Sequence, residues 1–158
     1  MCSDLSESGE PEEEAGSSYP ETVLIFSGDA ERMIDLREPV GVAAKAALRA
    51  LGFGEPFAVV TSFNPRGETI DAGENARRFD ELESELGALG VAYTILDACS
   101  PDMSHCERSV AVKTDVVSAR RIAARWEQLA IFWWDGREFW IYGAESSVEP
   151  VRLPVRVR

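Results

Sequence analysis

Cysteine and histidine are scarce in this 158-residue chain, with three of the first and one of the second. An odd cysteine count, with Cys2 near the start and Cys99 and Cys106 far along, implies no disulfide framework, so reduced thiols are expected. Bases are also in short supply: 16 Lys plus Arg stand against 28 Asp plus Glu, a formal net charge of −12. That balance argues against unassisted binding to nucleic acid or to an anionic membrane surface. No apolar run approaches the ~20 residues of a membrane span, and no basic segment precedes an apolar one at the start, so no membrane or secretion signal is read and the cytoplasm is the expected location. Gly67 and Gly73 lack the Lys-Ser or Lys-Thr that completes a phosphate loop.

What remains is a globular composition, 45% hydrophobic and 28% charged, at a length suited to one domain. The acidity is uneven. Met1 to Glu21 carries seven acids and no base among serines, glycines and prolines, whereas the body is only mildly acidic. Residues 1 to 20 are therefore expected to be a disordered acidic tail, because so polar a segment cannot offset the entropy of ordering. Residues 21 to 150 form the expected globular domain. Val151 to Arg158 alternates apolar and basic residues, as a basic tail or a terminal edge strand does.

Three segments read as helices. Glu74 to Leu89 sets Phe79, Leu82, Leu86 and Leu89 at steps of three and four, with Asp71 and Glu74 spaced as a capping box and Gly90 as the stop. Asp115 to about Leu129 and Pro39 to Leu51 are the others. Phe57 to Ser62, almost continuously apolar, is the expected central strand, and Tyr93 to Leu96 after the helix suggests a parallel crossover. Arg108 to Lys113, Ala130 to Trp134 and Glu138 to Tyr142 follow, the last two flanking the hairpin signal Asp135-Gly136, while Thr22 to Phe26 and Met33 to Leu36 form a hairpin around Gly28-Asp29. The expected class is α/β, with α+β as the alternative: a mixed sheet with about three helices in the order β-β-α-β-α-β-β-α-β-β.

The loop Thr61 to Asn75 is longer than such connections usually are and lies at the functional edge of an α/β sheet. Thr61 and Asn64 offer hydrogen bonds, Arg66 a planar fork for a carboxylate or phosphate, and Asn75 stands at a helix start. Ordinary turn chemistry explains much of the same segment. Glu107 heads a strand, where it either meets the Asn64 loop or is solvated, and Gln128 either ties a helix end to a strand or lines a pocket. Cys99, His105 and Cys106 supply three zinc-type ligands from one loop, one short of a tetrahedral site, so no metal or other cofactor is assigned. The aromatics Trp126, Phe132, Trp133, Trp134, Phe139, Trp140 and Tyr142 read as a period-two set across the terminal hairpin, and any that face outward make a docking surface.

The runs Val59 to Pro65, Glu74-Asn75, Leu82 to Gly90, Ser100-Pro-Asp leading to Glu107-Arg-Ser, and Glu127-Gln128-Leu-Ala-Ile-Phe resemble the bacterial family known as domain of unknown function 3293. The likeness runs from about Phe57 to Gly136 and implies no activity. Thr61, Asn64, Pro65, Asn75, Glu107, Ser109 and Gln128 match its pattern, while Ser100, Met103 and His105 depart from it. The first expectation is thus a polar cleft of Thr61, Asn64, Arg66, Asn75, Glu107 and Gln128 that binds a small anionic or nucleotide-like ligand. The rival is a non-catalytic module docking a protein partner through the aromatic hairpin. No reaction is assigned.

Overall fold

The computed structural model describes residues 19–26 and 33–155. After a 3-10 turn at Tyr19–Glu21, the elements are β1 (Val23–Phe26), β2 (Met33–Asp35), α1 (Val42–Ala50), β3 (Phe57–Thr61), α2 (Ala72–Leu89), β4 (Tyr93–Cys99), β5 (Cys106–Val112), α3 (Val116–Arg125), β6 (Ala130–Trp134), β7 (Phe139–Gly143) and β8 (Val151–Arg152). The expectation of an α/β chain with three helices holds at that level. The order gains a terminal strand, and Tyr19 and Pro20, assigned above to the tail, open the first turn. Most of that tail with Cys2, the Gly28-Asp29 turn, and Arg156 and Arg158 lie outside the described residues.

The strands make one eight-stranded sheet in the order β2-β1-β4-β5-β3-β6-β7-β8, and every neighbouring pair is antiparallel. The expected mixed sheet is therefore corrected. β3 and β4 do point the same way, but β5 lies between them and pairs with both, with Thr61 opposite Ser109 and Leu96 opposite Ser109 on its other side. The alternating run Cys106–Val112 is apolar enough to sit centrally, and its short loop from β4 places it beside that strand by hairpin closure. β3-α2-β4 and β5-α3-β6 are then two interleaved split units, the β-α-β-β-α-β topology of ferredoxin-like folds.

Local chemistry sets the helix ends. The Asp71 carboxylate accepts hydrogen bonds from Gly73 N and Glu74 N, and Gly90 closes α2 at φ 70°. Glu74 does not complete a capping box; it turns to Arg77 instead. Asp115 caps α3 through Ser118 N. In the terminal hairpin Asp135 does more than turn the chain, accepting from Arg137 N, Glu138 N and Trp140 Nε1.

The sheet buries both faces. Ala58, Val60, Val110, Val112 and Ile131 meet Phe79, Leu82 and Leu86 of α2 and Ala119, Ile122 and Ala123 of α3. On the other face Phe57, Val59, Leu96, Ala111, Phe132 and Trp134 pack with Leu24, Phe26 and Phe53 and with Leu48 of α1. α1 spans only nine residues. The face opposite α2 and α3 thus has far less helix to cover it. Leu82 has no solvent exposure, so Leu82→Ala is expected to lower unfolding free energy by about 2–5 kcal/mol in urea denaturation, whereas Val117→Ala on exposed α3 surface stays within about 0.5 kcal/mol.

Candidate functional site

Strand alternation brings Val59 and Thr61 of β3, Glu107 and Ser109 of β5, Ala98 of β4 and Ala130 and Phe132 of β6 to the same end of the sheet, where they line a cavity of about 340 Å³. Tyr19, Glu21 and His105 also line it, the Tyr19 ring meeting Phe132 edge-on at 5.6 Å between centroids. The floor is apolar and the rim polar, an arrangement common in small-molecule sites, and the volume lies at their low end.

The polar rim is organised by a chain of three side chains, of which Asn64 and Glu107 line the cavity while Asn75 stands behind Asn64 and is not among the lining residues. Asn64 and Asn75 are 7% and 6% exposed, so each amide needs partners. Asn75 Oδ1 accepts from Asn64 N at 2.8 Å, and Asn75 Nδ2 donates to Asn64 Oδ1 at 2.8 Å. Asn64 Oδ1 also accepts from Ile70 N at 3.2 Å, and Asn64 Nδ2 donates to Glu107 Oε2 at 2.8 Å. Asn64 adopts the left-handed region at φ 46°, which Asn tolerates better than most residues and which aims its amide across to β5. The asparagines are thereby braces whose output is the position of one carboxylate. His105 Nε2 stands 3.5 Å from the same Glu107 oxygen.

Three other expected site residues have different fates. Thr61 Oγ1 lines the cavity but donates to Arg108 O at 2.6 Å and accepts from Phe63 N at 3.1 Å. Gln128 both ties and lines: its Nε2 donates to Phe63 O at 2.9 Å and Trp126 O at 3.2 Å, and it borders the cavity. Arg66 is not among the lining residues. Its backbone occupies the left-handed region at φ 58°, its N donates to Glu127 O at 2.7 Å, and its exposed guanidinium pairs with Glu127 and, at 3.6 Å, with Glu68. The expected anion fork is thus spent on neighbouring acids.

One further expectation is corrected. Cys99 and Cys106 are the last opposed pair of β4 and β5, 4.1 Å apart at Cα, and are joined as a disulfide. Reduced thiols were expected because an odd count says nothing about register; here the hairpin brings these two together, and both sulfurs a zinc site would need are occupied. The aromatics of the terminal hairpin are divided between core and surface. Phe132, Trp134 and Phe139 are buried, while Trp133, Trp140 and Tyr142 are half-buried. The large hydrophobics that are exposed among the described residues include no aromatic.

Sequence reasoning missed Tyr19 and Arg78. Arg78 fastens α2 to its surroundings by donating to Ser62 O at 2.8 Å and Trp126 O at 2.7 Å. Tyr19 was hidden by its acidic flank, where a lone aromatic beside Pro20 was the available signal. Burial, together with the nearby Glu107 charge, pushes its phenol up to about 12.

Residues 60–131 match the model of a family described as a protein of unknown function (DUF3293), a likeness that covers just under half of the chain. The match takes in Asn64, Asn75, Glu107 and Gln128 but not Tyr19. No curated protein and no solved structure matches.

A phenol held protonated by the fold stabilises the native state fully below its ordinary value of 10.0, and that contribution disappears as pH rises through about 12. Denaturation at pH 9 and pH 12 is expected to show a loss attributable to Tyr19 of up to about 2 kcal/mol, absent in Tyr19→Phe. An equal loss in both proteins would contradict the burial of the Tyr19 phenol.

Proposed function

We propose that the cavity binds a small molecule that presents an N–H donor edge, such as an amidinium or an aminoheterocycle, to the Glu107 carboxylate while its apolar body rests on Phe132 and Val59. One observation carries this reading: Asn64 Nδ2 fixes a Glu107 oxygen at 2.8 Å, so the acceptor is preorganised before any ligand arrives. Preorganisation removes ordering cost from binding. A carboxylate with a single fixed donor still has acceptor capacity, since its two oxygens offer about four lone-pair sites.

The lining also bears on the sign of the ligand's charge. Glu21 and Glu107 border the cavity and Arg66 does not, so the anionic ligand anticipated from the sequence has lost its guanidinium partner. A nucleotide-like ligand is kept only for its base, whose amino edge offers the required donors. The volume of about 340 Å³ suits one such ring system rather than a dinucleotide. A docking role for the hairpin finds less support, because Phe132, Trp134 and Phe139 lie in the core, Trp133 and Tyr142 pack against it, and Trp140 donates to Asp135.

Benzamidine and benzoate have nearly the same shape and opposite charge, which makes them a direct probe. In an NMR titration benzamidine is expected to bind saturably, with shifts centred on Tyr19, Glu107 and Phe132, and benzoate more weakly. Glu107→Gln, which keeps an oxygen for Asn64 to donate to, is expected to weaken benzamidine about tenfold or more, the cost of one charge-assisted hydrogen bond. Benzoate binding as well as benzamidine, or benzamidine binding unchanged in Glu107→Gln, would refute the reading.

A further inference from the structure

The Cys99–Cys106 disulfide lies in the wall of the cavity. Cys99 is 3% exposed and lines it, and Cys106 is solvent-exposed. Cys106 sits between His105 and Glu107, the two residues whose side chains meet at 3.5 Å inside the rim. The bond also ends the β4–β5 ladder, so whatever happens to it is transmitted to the first residues of β5. Beyond it the loop is closed by its own hydrogen bonds, from Ser100 N to His105 O at 2.8 Å and from Ser104 to the Asp102 carboxylate. Asp102 is held well ionised, at about 2, by those donors. The loop therefore behaves as a compact unit whose attachment to the rim includes the disulfide.

We propose that this disulfide is a reversible thiol switch that sets the positions of His105 and Glu107 and so regulates the cavity, a role that rests on the ligand reading given above. A dithiol is the class of reductant required. One of its thiolates attacks the exposed Cys106 sulfur, the sulfur–sulfur bond breaks, and Cys99 leaves as a thiolate that takes up a proton. The second thiol of the reductant then attacks the mixed disulfide, Cys106 is released and protonated, and the reductant closes its own disulfide. Two electrons and two protons have passed from reductant to protein. The freed thiols require the separation of nonbonded atoms in place of a covalent bond. Buried Cys99 has packed neighbours on its own side, so the displacement is taken up at exposed Cys106 and carried to the residues on either side of it.

His105 is the only histidine in the chain, which gives the wall a single unambiguous NMR reporter that needs no ligand. The test uses the full chain carrying Cys2→Ser, so that alkylation and mass spectrometry count only the pair. With dithiothreitol the folded protein, monitored by circular dichroism, is expected to gain two alkylatable thiols and to shift the His105 ring resonances, reversibly on adding oxidised dithiothreitol. Cys99→Ser/Cys106→Ser should give the reduced spectrum without reductant, and benzamidine affinity should differ several-fold between the two states. A pair that yields only when the protein unfolds overturns the switch, as do His105 resonances identical in both states. Benzamidine affinity that is measurable but equal in the two states overturns it as well. A His105 response with no benzamidine binding in either state upholds the switch and sinks the ligand reading instead.

Discussion

The hydrogen bond from Asn64 to Glu107 is the contact on which the cavity depends. It joins the loop after β3 to the start of β5, two segments 43 residues apart, and both of its ends are anchored. On one side Asn75, at the head of α2, grips the Asn64 backbone and side chain together. On the other, β5 is paired along both edges, to β3 and β4. A buried amide that lost Glu107 would be left with an unsatisfied donor, which costs more than the bond contributes when made, so the arrangement is self-enforcing.

Topology supplies the second condition. Because β5 inserts between β3 and β4, the outgoing ends of two codirectional strands and the incoming end of a third share one rim, and strand alternation turns Thr61, Glu107 and Ser109 to the same face. α2 and α3 occupy the opposite face and α1 is short, so this end of the sheet is lined by side chains and by the Tyr19 turn rather than by a helix. A cavity arises where helical cover runs out. Its polar rim arises because that is where loops meet.

Much of this was legible in the residues. The α2 periodicity, its Asp71 cap and Gly90 stop, the apolar β3 run and the Asp135 turn each follow from local rules, and each has its counterpart in the structure. That Asn64 and Glu107 share a rim was inferable from where ligands gather on α/β sheets, though the premise of adjacent parallel strands was wrong. What local rules could not supply was pairing. The insertion of β5, the Cys99–Cys106 register and the turning of Arg66 toward Glu127 are all decided by contacts between segments distant in sequence or by a left-handed backbone angle. Tyr19 was misplaced for a related reason: composition averaged over a tail hides one aromatic whose partner, Phe132, lies at the far end of the chain.

Asn64 and Glu107 act as one unit, and a double-mutant cycle in denaturant measures that unit without any ligand. Asn64→Gly suits the left-handed backbone while removing the side chain, and Glu107→Ala removes the carboxylate that accepts from it. The predicted result is a coupling free energy of about 1 kcal/mol or more between the two substitutions. Losses that simply add, with coupling near zero, would contradict it.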